Sequence, residues 1–273
     1  MGAVSFYLNC FPAGDHVVIC APDQLNFYTE QGKFAKAVPN NLFVRFPLAF
    51  RSADEFWVAP GALGDSPEGR ASVIHVDLQS GKETIIREFM LTDAEKRPSG
   101  GAVVVGLTPQ LKMGLDRESN RIYYGKNSDT VIYWRALDGS QQGSFSFNAV
   151  PRPVTEDEKR NHFTKLGVPQ EQTEALVKML PDQMANYNRI QVENGLIYLF
   201  SSEQFGGALD AQLVDVYSPD GRRLYHGRIQ VDDGWYLSNP DNLQMGHGVV
   251  FAVLTNDAGE KKLVKYSVTL PKS

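Results

Sequence analysis

The side chains best suited to metal binding or nucleophilic chemistry in this 273-residue chain are five histidines (His16, His75, His162, His226, His247) and two cysteines (Cys10, Cys20). Histidine and cysteine build a zinc site when they recur at short, fixed separations. Here the histidines are scattered, and each reads as a surface or internally satisfied residue. Cys10 and Cys20 read as small apolar side chains and reduced thiols, flanking the Pro12–Asp15 turn on two adjacent antiparallel strands. Hydrolase signatures are missing: Gly64-Asp-Ser66-Pro-Glu-Gly69 lacks the spacing of a nucleophile elbow and reads as a surface turn. No glycine-rich nucleotide loop and no His-Glu-x-x-His pair occurs.

Two short stretches carry residue types that suit binding instead. Tyr187-Asn188-Arg189 sets a guanidinium, a natural anion partner, beside an aromatic ring and a carboxamide. Asp232 to Asn242 contains Trp235, Tyr236 and Asn239, the mixture of flat apolar and hydrogen-bonding groups that lines recognition surfaces. Each has a structural alternative: Arg189 in an internal pairing, Trp235 packed between neighbouring elements and Asn239 in a turn. The formal net charge of −5 argues against a nucleic-acid partner, whose phosphates require a basic surface. No apolar run approaches the ~20 residues of a membrane span. The first residues, Met-Gly-Ala-Val-Ser-Phe, show no signal peptide. A periplasmic or extracellular setting would require a further segment upstream.

What positions these residues is a phrase that occurs four times. It reads Leu25-Asn-Phe-Tyr-Thr-Glu-Gln-Gly32, Ile74-His-Val-Asp-Leu-Gln-Ser-Gly81, Ile132-Tyr-Trp-Arg-Ala-Leu-Asp-Gly139 and Val214-Asp-Val-Tyr-Ser-Pro-Asp-Gly221. An aliphatic first position and an apolar third (Phe27, Val76, Trp134, Val216) give the period of two of a strand with one buried face. The closing glycine supplies a turn with positive φ at no steric cost. Strand-like runs precede and follow each copy. A fifth unit runs from Gly248 to Val253 and from Leu263 to Val268 around the Asn256–Gly259 turn, without an outer strand. The chain therefore reads as an all-β protein of stacked four-stranded antiparallel blades, with Phe27, Val76, Trp134 and Val216 buried at equivalent positions. Residues 2–8 are expected to pair with Leu263–Val268 and so close the last edge.

The interval from Gly139 to Gly221 exceeds a blade of about 40–50 residues, and the excess is helical in texture. Thr155 with Glu158 forms a capping box, and Gly167 stops a first helix. Pro169 opens a second helix and Pro181 ends it. The apolar edge of this hairpin (Phe163, Leu166, Leu176, Met179, Leu180) is too small for a domain core, so it is expected to pack on the blades or on a partner.

At Val214-Asp-Val-Tyr-Ser-Pro-Asp-Gly221 the chain resembles the six-bladed β-propellers of the NHL and TolB-like superfamily, and the insertion ending at Leu180-Pro181 is similar to that of bacterial members. The resemblance implies one β-propeller domain over 1–273 with a helical insertion at 154–182. It also implies six blades where five are legible, with an N-terminal blade lacking. The phrase is nearly silent about function, and the residues read as a non-catalytic binding protein for a protein, peptide or glycan, without cofactor, that uses Tyr187, Asn188, Arg189, Trp235, Tyr236 and Asn239 at the channel mouth or on the face that bears the insertion. The alternative that the resemblance carries is a lactonase- or lyase-like enzyme. Such an enzyme would hold a divalent cation such as calcium on Asp116, Asn188, Asn239 and Asp241.

Overall fold

A computed structural model describes residues 9–21, 24–39, 48–59, 70–90, 110–150, 152–165, 167–178, 180, 182–201, 211–237, 243–246 and 249–267. They form five antiparallel sheets, the blades of a β-propeller, divided between two compact units, 1–96 and 97–273.

The first unit holds two blades. β1 (Asn9–Ala13), β2 (His16–Cys20), β3 (Gln24–Thr29) and β4 (Phe34–Pro39) pair in chain order, as do β5 (Leu48–Phe50), β6 (Glu55–Val58), β7 (Arg70–Asp77) and β8 (Lys82–Met90). Their facing sides interleave Val18, Leu25 and Phe27 with Phe50, Phe56, Val58 and Val76 into one buried cluster. Alternation along each strand makes this possible, because every second side chain points at the neighbouring sheet. Lys36 of β4 reaches the Asp54 carboxylate at the turn into β6, which ties the two blades at their outer side.

The second unit holds three blades. β9 (Leu111–Asp116), β10 (Arg121–Lys126), β11 (Val131–Ala136) and β12 (Gln142–Ser146) form the third blade. β13 (Tyr187–Glu193), β14 (Leu196–Ser201), β15 (Ala211–Tyr217) and β16 (Arg223–Gln230) form the fourth. In the fifth, β17 (Tyr236–Leu237) and β18 (Leu243–Gly246) both pair with β19 (Val249–Thr255), whose other edge carries β20 (Lys261–Ser267). β17 and β18 are thus one interrupted inner strand. Among the described residues no further strand lies beyond β20. Between β12 and β13 stand α1 (Glu156–Lys165) and α2 (Gln170–Val177). Neither helix is long and apolar enough to cross a membrane.

All four copies of the repeated phrase fall on third strands (β3, β7, β11, β15) and on the turn that follows. Gly32, Gly81, Gly139 and Gly221 have φ of 76°, 68°, 76° and 85°. Phe27, Val76 and Val216 are buried. Trp134 departs from the pattern and is only partly buried. Its cross-strand neighbour is Gly143, so the indole lies down over a backbone that offers no side chain. The six blades implied by the resemblance are five in the described residues, and the segment 2–8 lies outside them. The cysteines do sit on adjacent strands, but the two-residue turn at Gly14-Asp15 offsets them: Cys10 faces Ile19 and Cys20 faces Asn9. Cys20 is a buried thiol.

Candidate functional site

The insertion is built by local rules. The Thr155 N–H donates to Glu158 Oε2 at 2.9 Å, and the Glu158 N–H donates to Thr155 Oγ1 at 3.2 Å, which are the two reciprocal bonds of a capping box. Arg152 grips the same carboxylate at 2.6 Å, and this bond with the Thr155 N–H holds the Glu158 pKa down at about 2. At the other end of α1, Gly167 has φ of 71°. Its N–H reaches the Thr164 carbonyl while the Val168 N–H reaches Phe163, the paired bonds of a Schellman stop. Arg160 clamps α1 to Glu174 of α2 at 2.9 Å.

Of the two settings expected for the apolar edge, the blades or a partner, its described residues do not take the first. Phe163, Val177 and Leu180 close with Val154 and Met184 into a separate small core, flanked by Val168 and Leu176. Val154 and Met184 belong to the neck, where Pro153 bridges Gln183 and the backbones of 154 and 184 bond to Asp182 and Arg152. Lys159, 2% exposed, fills the base of this neck and donates to Asp182 at 2.7 Å and Glu156 at 3.1 Å. Burial alone would lower its pKa; the two carboxylates outweigh burial and raise it. Leu166 and Met179 lie outside the described residues.

The insertion leaves the neck at Asn186, which is bolted to the β10–β11 turn. Its N–H donates to the Asn127 carbonyl at 2.7 Å and its Nδ2 to those of Ser128 and Asp129 at 3.0 and 3.1 Å. Tyr187 follows, and it is a core residue, 1% exposed, set edge-on to Phe147 at 5.7 Å. Its hydroxyl would stand 2.6 Å from a Cβ on Gly125 and has no hydrogen-bond partner among the described residues. Burial pushes its pKa well above the usual phenol value. Asn188 sits at a register shift between Tyr187 and Arg189, with Nδ2 toward the Ser201 carbonyl at 3.4 Å and a buried Oδ1 that has no partner among the described residues. Arg189 reaches across to the Leu243 carbonyl, and Gln191 Nε2 to that of Met245 at 2.8 Å. These two side chains, both on one face of β13, strap the inner strand of the fifth blade to the fourth.

Trp235 and Tyr236 lie on the other side of the fourth blade. Trp235 packs against the core shared by the fourth and fifth blades under the Lys262 ammonium, 4.2 Å from its ring, and Tyr236 donates to the Asn256 carbonyl at 3.2 Å. The structure therefore separates them from Tyr187, which faces the third blade. Asn239 and Asp241 lie outside the described residues. Asp116, 2% exposed, closes the β9–β10 turn by accepting the N–H groups of Glu118 and Ser119, while Asn188 opens β13. Among the described residues no group of three His, Cys, Asp or Glu side chains is placed to hold a metal. His75 and His226 are occupied by Glu55 at 3.1 Å and Asp215 at 3.0 Å. Sequence reasoning missed Gln212, 1% exposed, whose Nε2 donates to the Ser201 and Leu213 carbonyls at 2.9 Å each, while its buried Oε1 has no partner among the described residues. Its signal was a carboxamide near the head of a strand that is otherwise apolar except for Asp215.

No protein-family model matches the sequence, and no curated protein matches it. Among solved structures, the chain is similar to a member of the DUF4221 family from Bacteroides vulgatus, at 11% identity and a TM-score of 0.54, over 93% of this chain and 76% of that one. It also overlaps the β-propeller domain of the trilobed protease from Pyrococcus furiosus (9% identity, TM-score 0.46, 96% and 81% covered). A gluconolactonase from Xanthomonas campestris overlaps similarly (14%, 0.45, 93% and 69%). At 11% identity the likeness to the first is one of fold alone.

Proposed function

We propose that the chain is a non-catalytic binding propeller, one domain of the six-bladed NHL or TolB-like type over 1–273. It takes a protein, peptide or glycan at the end of the fourth blade where the 154–182 insertion emerges. The observation that carries this reading is the insertion's own core. A hairpin with a capping box, a Schellman stop, a closed neck and a separate apolar cluster is an organised module that the blades do not need for their burial. The residues proposed for the binding site are Asn188 and Arg189, which follow the insertion directly on β13, with Trp235, Tyr236 and Asn239; Trp235 and Tyr236 stand apart, where the fourth blade meets the fifth.

The test replaces residues 155–181 with a short Gly-Ser linker, which keeps the Pro153–Gln183 neck, and screens both proteins on a glycan array and a peptide library. Ligands that bind the intact chain should lose at least tenfold in affinity on the excised one, with blade melting unchanged. Equal binding by both proteins would refute the assignment. The unpartnered carboxamide oxygens of Asn188 and Gln212 favour one competing reading, a channel enzyme holding a divalent cation on Asp116, Asn188, Asn239 and Asp241. Stoichiometric calcium in the purified protein, lost on Asn188→Ala, would support that reading against ours.

A further inference from the structure

Among the described residues no strand pairs with the outer edge of β4, β8, β12, β16 or β20, and natural sheets blunt such edges with charge or proline. Four outer strands follow the rule: β4 carries Lys36 and Pro39, β8 has Lys82, Glu83, Arg87 and Glu88, β16 has Arg223 and Arg228, and β20 has three lysines. β12, Gln-Gly-Ser-Phe-Ser, carries none. Ala136 bonds to Gln141 and Phe147 to Thr130, which fixes the alternation of the ladder. Gly143 and Phe145 turn their backbone groups inward to β11, and Gln142, Ser144 and Ser146 turn theirs outward.

That unblunted edge borders a groove of about 350 Å³, lined by Arg121, Trp134, Gly143, Ser144, Phe145, Pro219 and Asp220. Its walls are preset. The Trp134 ring lies on Gly143, where an added Cβ would come within 2.8 Å of Nε1, and the Arg121 guanidinium covers the ring at 4.2 Å. The opposite wall is the Pro219-Asp220 turn of the fourth blade, seated on Phe145. The Ser218 hydroxyl bonds the Asp220 carboxylate and keeps it ionised.

We propose that this groove docks an extended peptide, which adds as a further strand to β12. Its residue opposite Ser144 exchanges two main-chain hydrogen bonds with that serine. The residues on either side of it share the face of Gly143 and Phe145, so they meet Trp134 and Pro219 and are apolar. Asp220 at the rim selects a lysine or arginine in the same segment. The site is independent of the helical insertion.

The probe is a peptide selected from phage-displayed random nonapeptides on the intact chain and measured by fluorescence polarisation. N-methylation along that peptide should weaken binding at least tenfold at alternate positions and leave the intervening ones unchanged, because every second amide faces β12. This scan uses the unaltered protein, so it reads the strand geometry whether or not any variant folds. Ser144→Pro removes an outward N–H while sparing the β11 ladder; with Trp134→Ala, it should cost tenfold or more. The chain with residues 155–181 excised should bind the peptide as the intact protein does. Four results would overturn the proposal. They are no enriched peptide, methylation effects without alternation, affinity indifferent to both substitutions, or a concentration-dependent dimer dissolved by Ser144→Pro, which would make a second copy the occupant.

Discussion

Replacing Gly221 by alanine separates two costs that the repeated turn glycines otherwise hide. Gly32 and Gly221 occupy the same place in their blades with φ of 76° and 85°, so both substitutions force an L residue into the left-handed region. That costs about 1–2 kcal/mol. Around Gly32 a new methyl meets nothing within 4 Å, and the cost ends there. At Gly221 the same methyl would stand 2.2 Å from Phe145 Cβ. Phe145 cannot swing away at that atom, since its Cβ is fixed to β12 and its ring stacks on Tyr217 at 5.7 Å. The third and fourth blades must part, an overpacking cost of about 1–3 kcal/mol more. Gly32→Ala should therefore destabilise by about 1–2 kcal/mol and Gly221→Ala by about 2–5 kcal/mol. A chain with two compact units is a poor candidate for one two-state transition, so the readout is native-state hydrogen exchange, resolved by segment. In Gly221→Ala, protection should fall at Phe145–Phe147 and stay unchanged at Leu25–Tyr28. Equal losses in the two variants, or a loss in the first unit, would refute the reasoning.

Three further outcomes follow from the same geometry. Gly114→Ala would set a methyl 3.0 Å from Ile190 Cγ2 and 3.1 Å from Val192 Cγ2, and should cost about 1–3 kcal/mol by segment-resolved exchange in β9 and β13. Glu158 titrates at about 2 in the folded hairpin against an ordinary 4.5, so its contribution is complete above pH 4.5 and is lost as pH falls toward 2. Exchange protection of α1 should decline in that window, and Glu158→Gln should abolish the dependence. Lys159→Met should stay within about 1 kcal/mol of the parent by segment-resolved exchange in α1, because Asp182 and Glu156 are exposed and removal of the lysine leaves no buried charge unpaired.

The parts of the fold legible in the sequence are those encoded within a few residues. The third strands and their turns could be read because alternation and a positive-φ glycine are local properties. The hairpin could be read because Thr155, Glu158 and Gly167 cap it without help from elsewhere. Contacts between strands and blades were not legible. Trp134 looked like Phe27 in sequence, yet its exposure is decided by Gly143, a partner in the next strand. The hairpin's self-sufficiency depends on Val154 and Met184, which lie outside both helices and meet only when the neck closes. Tyr187 and Arg189 read as a binding stretch with Asn188, with an internal pairing of Arg189 as the alternative. Gly125 makes room for the first in the core, and an interrupted strand of another blade engages the second. Gln212 was invisible for the same reason, since its carboxamide has meaning only beside Ser201.

The straps from Arg189 and Gln191 bear on how freely the fifth blade can vary. They grip carbonyl oxygens of residues 243 and 245, groups that every amino acid supplies, so what they recognise is position along the strand rather than sequence. Side chains at 243–246 can drift, within the limits of their own packing, without loosening the attachment, whereas the two gripping residues cannot. The same arrangement counts in twos. A one-residue slip of β18 against β19 would turn the gripped carbonyls to the opposite edge and release both straps, while a two-residue slip would bring the next pair into the same hands. The register of β18 thus has a parity, held from the neighbouring blade as well as from its own.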